Sequence, residues 1–230
     1  MIIRQQKPFT KGGSVKVVKI LGIVVGAIIV LLLIYLGYYG AFAKVTVTEK
    51  KLDSFWMVYQ KHVGEYKGVG PIMDAIYNDL KDNYSISTTK GFGAYYDNPR
   101  EVPKEKCRSI AGCILENADL GKVDELKEKY FVREYPTSSV VTAEFPFKGT
   151  LSIFIGIFKV YPKLGKYITE KGYESRPMFE IYDMPAKKTI YGMSKDLDAG
   201  LFDSFLEEPV EPVIEEETGV ADTAEVIEEE

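Results

Sequence analysis

Few residues in this 230-residue sequence are of the types that do chemistry, and their spacing narrows the choices further. His62 is the sole histidine, so a Ser–His–acid or Cys–His arrangement would have to be built on it. It ends the alternating run Phe55–His62 just before Gly64, where a structural place at a turn is the simpler reading. Cys107 and Cys113 stand six residues apart in a run that reads as one strand. Six residues of strand cover roughly 20 Å and a disulfide needs Cα atoms within about 7 Å, so these two should not pair. One histidine and two cysteines also fall short of a structural zinc site. No metal and no other cofactor is implied. A carboxylate offers more. In Met178-Phe179-Glu180-Ile181-Tyr182, strand alternation puts Met178, Glu180 and Tyr182 on one face and Phe179 and Ile181 on the other. A carboxylate between Met and Tyr is costly to desolvate unless a cation or hydrogen-bond donors meet it. Either this face is open to solvent and Glu180 merely points outward, or it is covered and Glu180 has a partner.

The elements that must carry these residues begin with an anchor. Ile20 to Ala43 is an uncharged run of 24 residues rich in Ile, Val and Leu. As helix it would be roughly 36 Å long, against a hydrocarbon core of about 30 Å. Lys19 and Lys44 bracket it, and Tyr35, Tyr38 and Tyr39 fall where an interfacial aromatic belt would lie. Ala41-Phe42-Ala43 has the form of a signal cleavage site, but the apolar core of a signal is only about 7–15 residues long. Gly22 and Gly26 have the spacing of membrane helices that pair.

The sequence divides into a basic segment (1–19), a transmembrane helix (20–43), a soluble domain (44–195) and an acidic tail (196–230) expected to be disordered. The first 19 residues hold five bases and no acid, and the last 35 hold 14 acids and no base, so a net charge of −5 leaves the middle at +4. The domain is slightly basic without a Lys/Arg cluster, which argues against nucleic acid as a partner. The tail is too poor in apolar residues to offset its chain entropy.

Within the domain the periodicities repeat. Phe55–His62 alternates, Ile72, Ile76 and Leu80 mark a helix, and strands follow near Phe92–Tyr96 and Cys107–Leu115. After a short helix near Val123–Lys129 and a strand at Phe131–Tyr135, the order returns. Ser139–Phe145 is a strand, a long helix opens at Gly149–Thr150, and Met178–Tyr182 and Thr189–Met193 are strands. Tyr96-Asp97-Asn98-Pro99 and Tyr182-Asp183-Met184-Pro185 share Tyr-Asp-x-Pro, 86 residues apart. The fold class is α+β, a duplicated strand-helix-strand-strand unit forming an antiparallel sheet with both helices on one face. The long helix is apolar nearly all round in its first half and carries Pro162, so a kink and burial against a neighbour are expected.

The runs His62-Val63-Gly64-Glu65-Tyr66, Ala94-Tyr95-Tyr96-Asp97-Asn98-Pro99, Val102–Arg108 and Ser139–Pro146 resemble the gyrase-inhibitor-like (GyrI-like) ligand-binding superfamily, and within it the testis-expressed reticulophagy receptors. The resemblance covers about residues 20–195. It implies the same duplicated fold and a ligand cleft between the halves, lined by aromatics with an acid at its base. Glu180 stands at the matching acidic position, Tyr182 and Met178 share its face, and Trp56 and Tyr95 would be cleft walls. Such a cup suits a small cationic, apolar molecule. The expected protein is non-enzymatic and single-pass, displaying a domain that binds a small molecule or a protein partner. The alternative is a GyrI-like hydrolase acting on a small apolar molecule with Glu180 as acid/base. The receptors' tails bind the autophagy modifier through an aromatic residue followed three positions on by Leu, Ile or Val. Here Phe202 is followed by Phe205 and Phe205 by Glu208, so the tail departs from that pattern. In a eukaryote the resemblance implies an endoplasmic reticulum membrane with the domain in the cytosol. In a bacterium, the bases before the anchor imply an inner or plasma membrane with the domain exported.

Overall fold

The computed structural model describes residues 12–207. Its first element is α1 (Gly12–Tyr38), of which Val17–Tyr38 is long and apolar enough to cross a membrane, with a mean hydropathy of 3.1. The helix takes in part of the expected basic segment, and it stops at Tyr38 rather than running to Ala43. Its end is a Schellman turn: Ala41 N–H donates to Leu36 C=O and Gly40 N–H to Gly37 C=O, with Gly40 at φ 93°. A side chain at Gly40 would be strained by that φ and would meet the Phe145 ring at 2.8 Å.

The domain proper runs β1 (Val47–Leu52), β2 (Phe55–Val63), α2 (Val69–Tyr84), β3 (Lys90–Tyr95), β4 (Arg108–Ile114), α3 (Val123–Lys127), β5 (Phe131–Tyr135), β6 (Ser138–Pro146), α4 (Thr150–Lys171), β7 (Met178–Asp183), β8 (Lys188–Ser194) and α5 (Ala199–Ser204). All eight strands join one antiparallel sheet in the order β1-β6-β8-β7-β3-β4-β2-β5. The order is symmetric about the β7–β3 seam, with β2-α2-β3-β4 on one side and β6-α4-β7-β8 on the other. This is the duplication expected from the periodicities.

Two short links force the sheet to curl. β1 lies at one edge and β2 next to the other, yet only Asp53 and Ser54 join them. Three Cα–Cα steps reach about 11 Å, whereas six strand spacings in a flat sheet would need roughly 29 Å. The Pro136–Thr137 link between β5 and β6 imposes the same closure. Phe179 of β7 and Tyr135 of β5 are four strands apart, about 19 Å in a flat sheet, and their ring centroids are 6.0 Å apart. They share the concave side with Met57, Tyr59, Phe92, Ile110 and Ile181. The convex side carries two further cores, one under each long helix. Val160, Leu164 and Ile168 of α4 cover Val141, Phe145 and Tyr191, and Ile76 and Leu80 of α2 cover Val58 and Cys113.

Two expectations change. The chain does not become a free tail at Asp196. Asp196 accepts from the Ser138 hydroxyl at 2.8 Å and the Ser139 amide at 3.0 Å, Asp198 caps α5, and Phe202 and Phe205 are buried in the concave core. Their apolar area outweighs the acidic composition that suggested disorder. Residues 208–230 of the proposed tail, like residues 1–11, lie outside the described residues. Second, the apolar first half of α4 is not enclosed, for Phe154 and Phe158 face outward. Cys107 and Cys113 are free and buried.

Candidate functional site

The seam between the halves is where the two convex cores leave a gap, and Glu180 stands in it. The register aligns Glu180 with Gly93 on β3 and Tyr191 on β8, all on the helix-bearing face. Glu180 is 1% exposed, which decides between the two readings of its strand face. Tyr161 Oη, from α4, donates to Oε1 at 2.7 Å, Tyr182 Oη donates to Oε2, and Tyr95 Oη makes a longer contact with Oε2 at 3.4 Å. The missing side chain at Gly93 lets this cluster form. A Cβ there would come within 2.9 Å of the Met73 methyl, from α2, and 3.2 Å of the Tyr95 hydroxyl. Tyr95 leans back along its strand over Gly93 toward the carboxylate, and Tyr66 supports it edge-on at 4.9 Å. Tyr66 is itself held by donating to Asp97 C=O at 2.7 Å.

Electrostatics follow from this enclosure. Burial pushes the Glu180 pKa above the ordinary carboxylate value, and hydrogen bonds from Tyr182, Tyr161 and Tyr95 offset part of that rise. Burial first, and the Glu180 charge second, holds the Tyr95, Tyr161 and Tyr182 phenols well above their ordinary value, so all three remain neutral donors. Among the described residues no lysine or arginine pairs with Glu180. Tyr191 Oη, also on this face, is buried without a hydrogen-bond partner. The cluster therefore encloses a carboxylate among phenol hydroxyls, with no positive group beside it among the described residues.

The structure brings together four of the five residues singled out from the sequence. Glu180, Tyr182 and Tyr95 are in mutual contact, and Met178 lies opposite Tyr95 in the register, half-buried against the α4 core. Trp56 is not part of the site. It shares the convex face, but Gln60 is the β2 residue level with Glu180, through Ala111 and Gly93. Trp56 is four positions from Gln60 and three strands from β7, so about 14 Å across the sheet and about 13 Å along it. It packs on the α2 core and lines a separate open recess with Lys90, Glu116 and Glu134. Tyr161, Met73 and Gly93 were missed. Tyr161 gives one usable signal, a polar-tipped aromatic beside the buried stripe Gly156-Val160-Leu164.

Residues 46–193, more than half of the chain, match the family model described as GyrI-like small molecule binding domain. Testis-expressed protein 264 of Homo sapiens is 34% identical over 175 residues, 71% of this chain and 54% of that protein. Its homolog in Mus musculus is 34% identical over 157 residues, 64% of this chain and 48% of that protein. The chain thus spans about half the length of these relatives. The crystal structure of the EcmrR C-terminal domain is similar at a TM-score of 0.46 and 12% identity, over 65% of this chain and 96% of that one.

Proposed function

The chain belongs to the GyrI-like small-molecule-binding domain family, and on that premise we propose that it is a single-pass membrane protein whose non-enzymatic domain captures a small organic cation over Glu180. One observation carries this reading: the carboxylate is buried, hydrogen-bonded only to phenols and without a counterion among the described residues. Phenol donors recover part of the desolvation penalty but do not balance the charge. A cation with apolar flanks would do so, with its flanks against Tyr95, Tyr161 and Tyr182. Entry requires Tyr161 and Met73 to move. Both belong to helices, so the sheet that holds Glu180 need not change.

Support for binding rather than hydrolysis comes from the cluster's composition. Among the described residues no histidine, cysteine or second carboxylate hydrogen-bonds to Glu180, and His62 Nε2 is engaged with Glu65 C=O at 3.1 Å. Phe202 and Phe205 are committed to the core.

Two measurements test this reading. Calorimetric titration of the detergent-solubilised chain with an aromatic quaternary ammonium and its neutral carbon isostere should show at least about tenfold tighter binding of the cation. Equal affinities would remove the proposal. For the anchor, the 22-residue apolar span motivates carbonate washing of membranes. The chain should stay in the pellet, and release into the supernatant would remove the single-pass reading.

A further inference from the structure

Helix α4 changes character along its length. Its inward stripe of Ser152, Gly156, Val160, Leu164 and Ile168 is buried throughout. The opposite side shows Phe154, 54% exposed, and Phe158, 76% exposed, in the N-terminal half. In the C-terminal half the same side shows Lys166, Thr169 and Glu170. Neither phenylalanine belongs to the three apolar cores. Two bare aromatic rings one turn apart are not required by the fold, and exposed apolar clusters of this kind mark contact surfaces.

What adjoins them says what the surface meets. The chain leaving α1 is laced to the apolar half of α4. Lys148, just ahead of the helix, places Nζ 5.1 Å from the centre of the Tyr38 ring. Lys159 Nζ donates to the carbonyls of Ala41 at 2.5 Å and Ala43 at 2.7 Å, and Lys163 Nζ to that of Val45 at 3.1 Å. Following the chain from Tyr38 to Val45 thus follows α4 from its N-terminal end toward Lys163. That end points back at the apolar span. Tyr38 and Phe42, on the same margin, are 61% and 71% exposed, and Lys44 and Lys148 are exposed beside them.

We propose that Phe154 and Phe158, with Tyr38 and Phe42, form one patch seated in the interfacial layer of the bilayer that α1 enters, so that the N-terminal half of α4 rests on the membrane. This inference depends on the anchor reading of α1. Aromatic rings flanked by lysines are the composition that interfacial layers favour, with the ammonium groups toward anionic headgroups. The interfacial layer is about 5–8 Å deep. Phe154 lies about 6 Å and Phe158 about 12 Å along the axis from Thr150. The layer takes the first directly, and the second through a ring that leans toward the helix N-terminus. The patch is continuous with the membrane span, which distinguishes it from a docking face for a soluble partner.

Depth-dependent fluorescence quenching tests the placement in the full chain. With Trp56→Phe removing the native tryptophan, single reporters are introduced as Phe154→Trp, Phe158→Trp, Lys166→Trp and Val30→Trp. Each variant is reconstituted into phosphatidylcholine–phosphatidylserine vesicles brominated near the headgroup or deep in the acyl chain. The Phe154→Trp and Phe158→Trp reporters should emit at shorter wavelength than Lys166→Trp and lose emission to the shallow bromines, while Lys166→Trp does not. The Val30→Trp reporter should lose emission to the deep bromines. Quenching of the Val30→Trp reporter with none at positions 154 and 158 would overturn the proposal and leave the anchor standing. No quenching at any of the four positions would overturn the anchor reading, and this inference with it.

Discussion

Truncation after Asp196 is expected to prevent the domain from folding, and Phe205→Ala alone to lower its stability by about 3–5 kcal/mol. Phe202 and Phe205 are each 2% exposed and close the concave core. Their ring centroids lie 6.3 Å and 6.4 Å from that of Tyr135, which also contacts Phe55, Phe92 and Phe179. The segment is held by its backbone as well. Tyr59 Oη donates to Phe205 C=O at 3.0 Å and Tyr96 Oη to Phe202 C=O at 2.8 Å. Truncation exposes the inner face of a sheet curled around both rings, and it strips the Tyr59 and Tyr96 hydroxyls of their acceptors. The combined loss approaches the whole stability of an ordinary domain, about 5–15 kcal/mol. Denaturant unfolding of the Phe205→Ala variant measures the single-ring effect. A change below about 1 kcal/mol would mean that the segment only covers the core and does not complete it.

Glu180→Gln is expected to raise the melting temperature of the ligand-free protein at neutral pH. Burial raises the Glu180 pKa in the folded state, so the folded chain binds this proton more tightly than the unfolded chain. The stability tied to this group is therefore fully present below the unfolded value of about 4.3 and is lost as pH rises through the higher folded value. Glutamine keeps an acceptor for one of the Tyr161 and Tyr182 hydroxyls, offers the other an amide N–H that a phenol oxygen can accept, and removes the charge. The gain over wild type should be largest at neutral pH and close as pH falls below about 4. Thermal unfolding across that range measures it. A variant less stable than wild type at neutral pH would show that the phenol hydrogen bonds more than balance the desolvation.

The fold was largely legible because its determinants are local and repeated. The 3.6-residue stripe of α2, the alternation of β2 and β7, and the return of the same element order after Tyr135 each reflect one buried face. The Tyr-Asp-x-Pro pair was a weaker guide than it looked. Tyr182 points at Glu180 on the convex face, whereas Tyr96 packs on the concave core. An even offset along strands whose faces are matched by an odd one puts equivalent letters on opposite sides. The tail was misread because composition averages over a segment, while two phenylalanines suffice to pin one end of it. Trp56 was misplaced because alternation gives a face and not a position on it. Distance from Glu180 depends on strand order, which puts β3 and β4 between β7 and β2. Tyr161 and Met73 lie on helices whose docking over the seam is a tertiary fact with no sequence period of its own.

The central claim, that a cation is recognised by the charge of Glu180, is tested most directly by calorimetry of wild type and Glu180→Gln with the aromatic ammonium and its neutral isostere. The variant should lose about 1.5–3 kcal/mol of cation affinity, the scale of a hydrogen-bonded charged group, or roughly tenfold to 150-fold. Affinity for the neutral isostere should be nearly unchanged. Equal losses for the two ligands, or none for either, would contradict the account and take Glu180 out of the site.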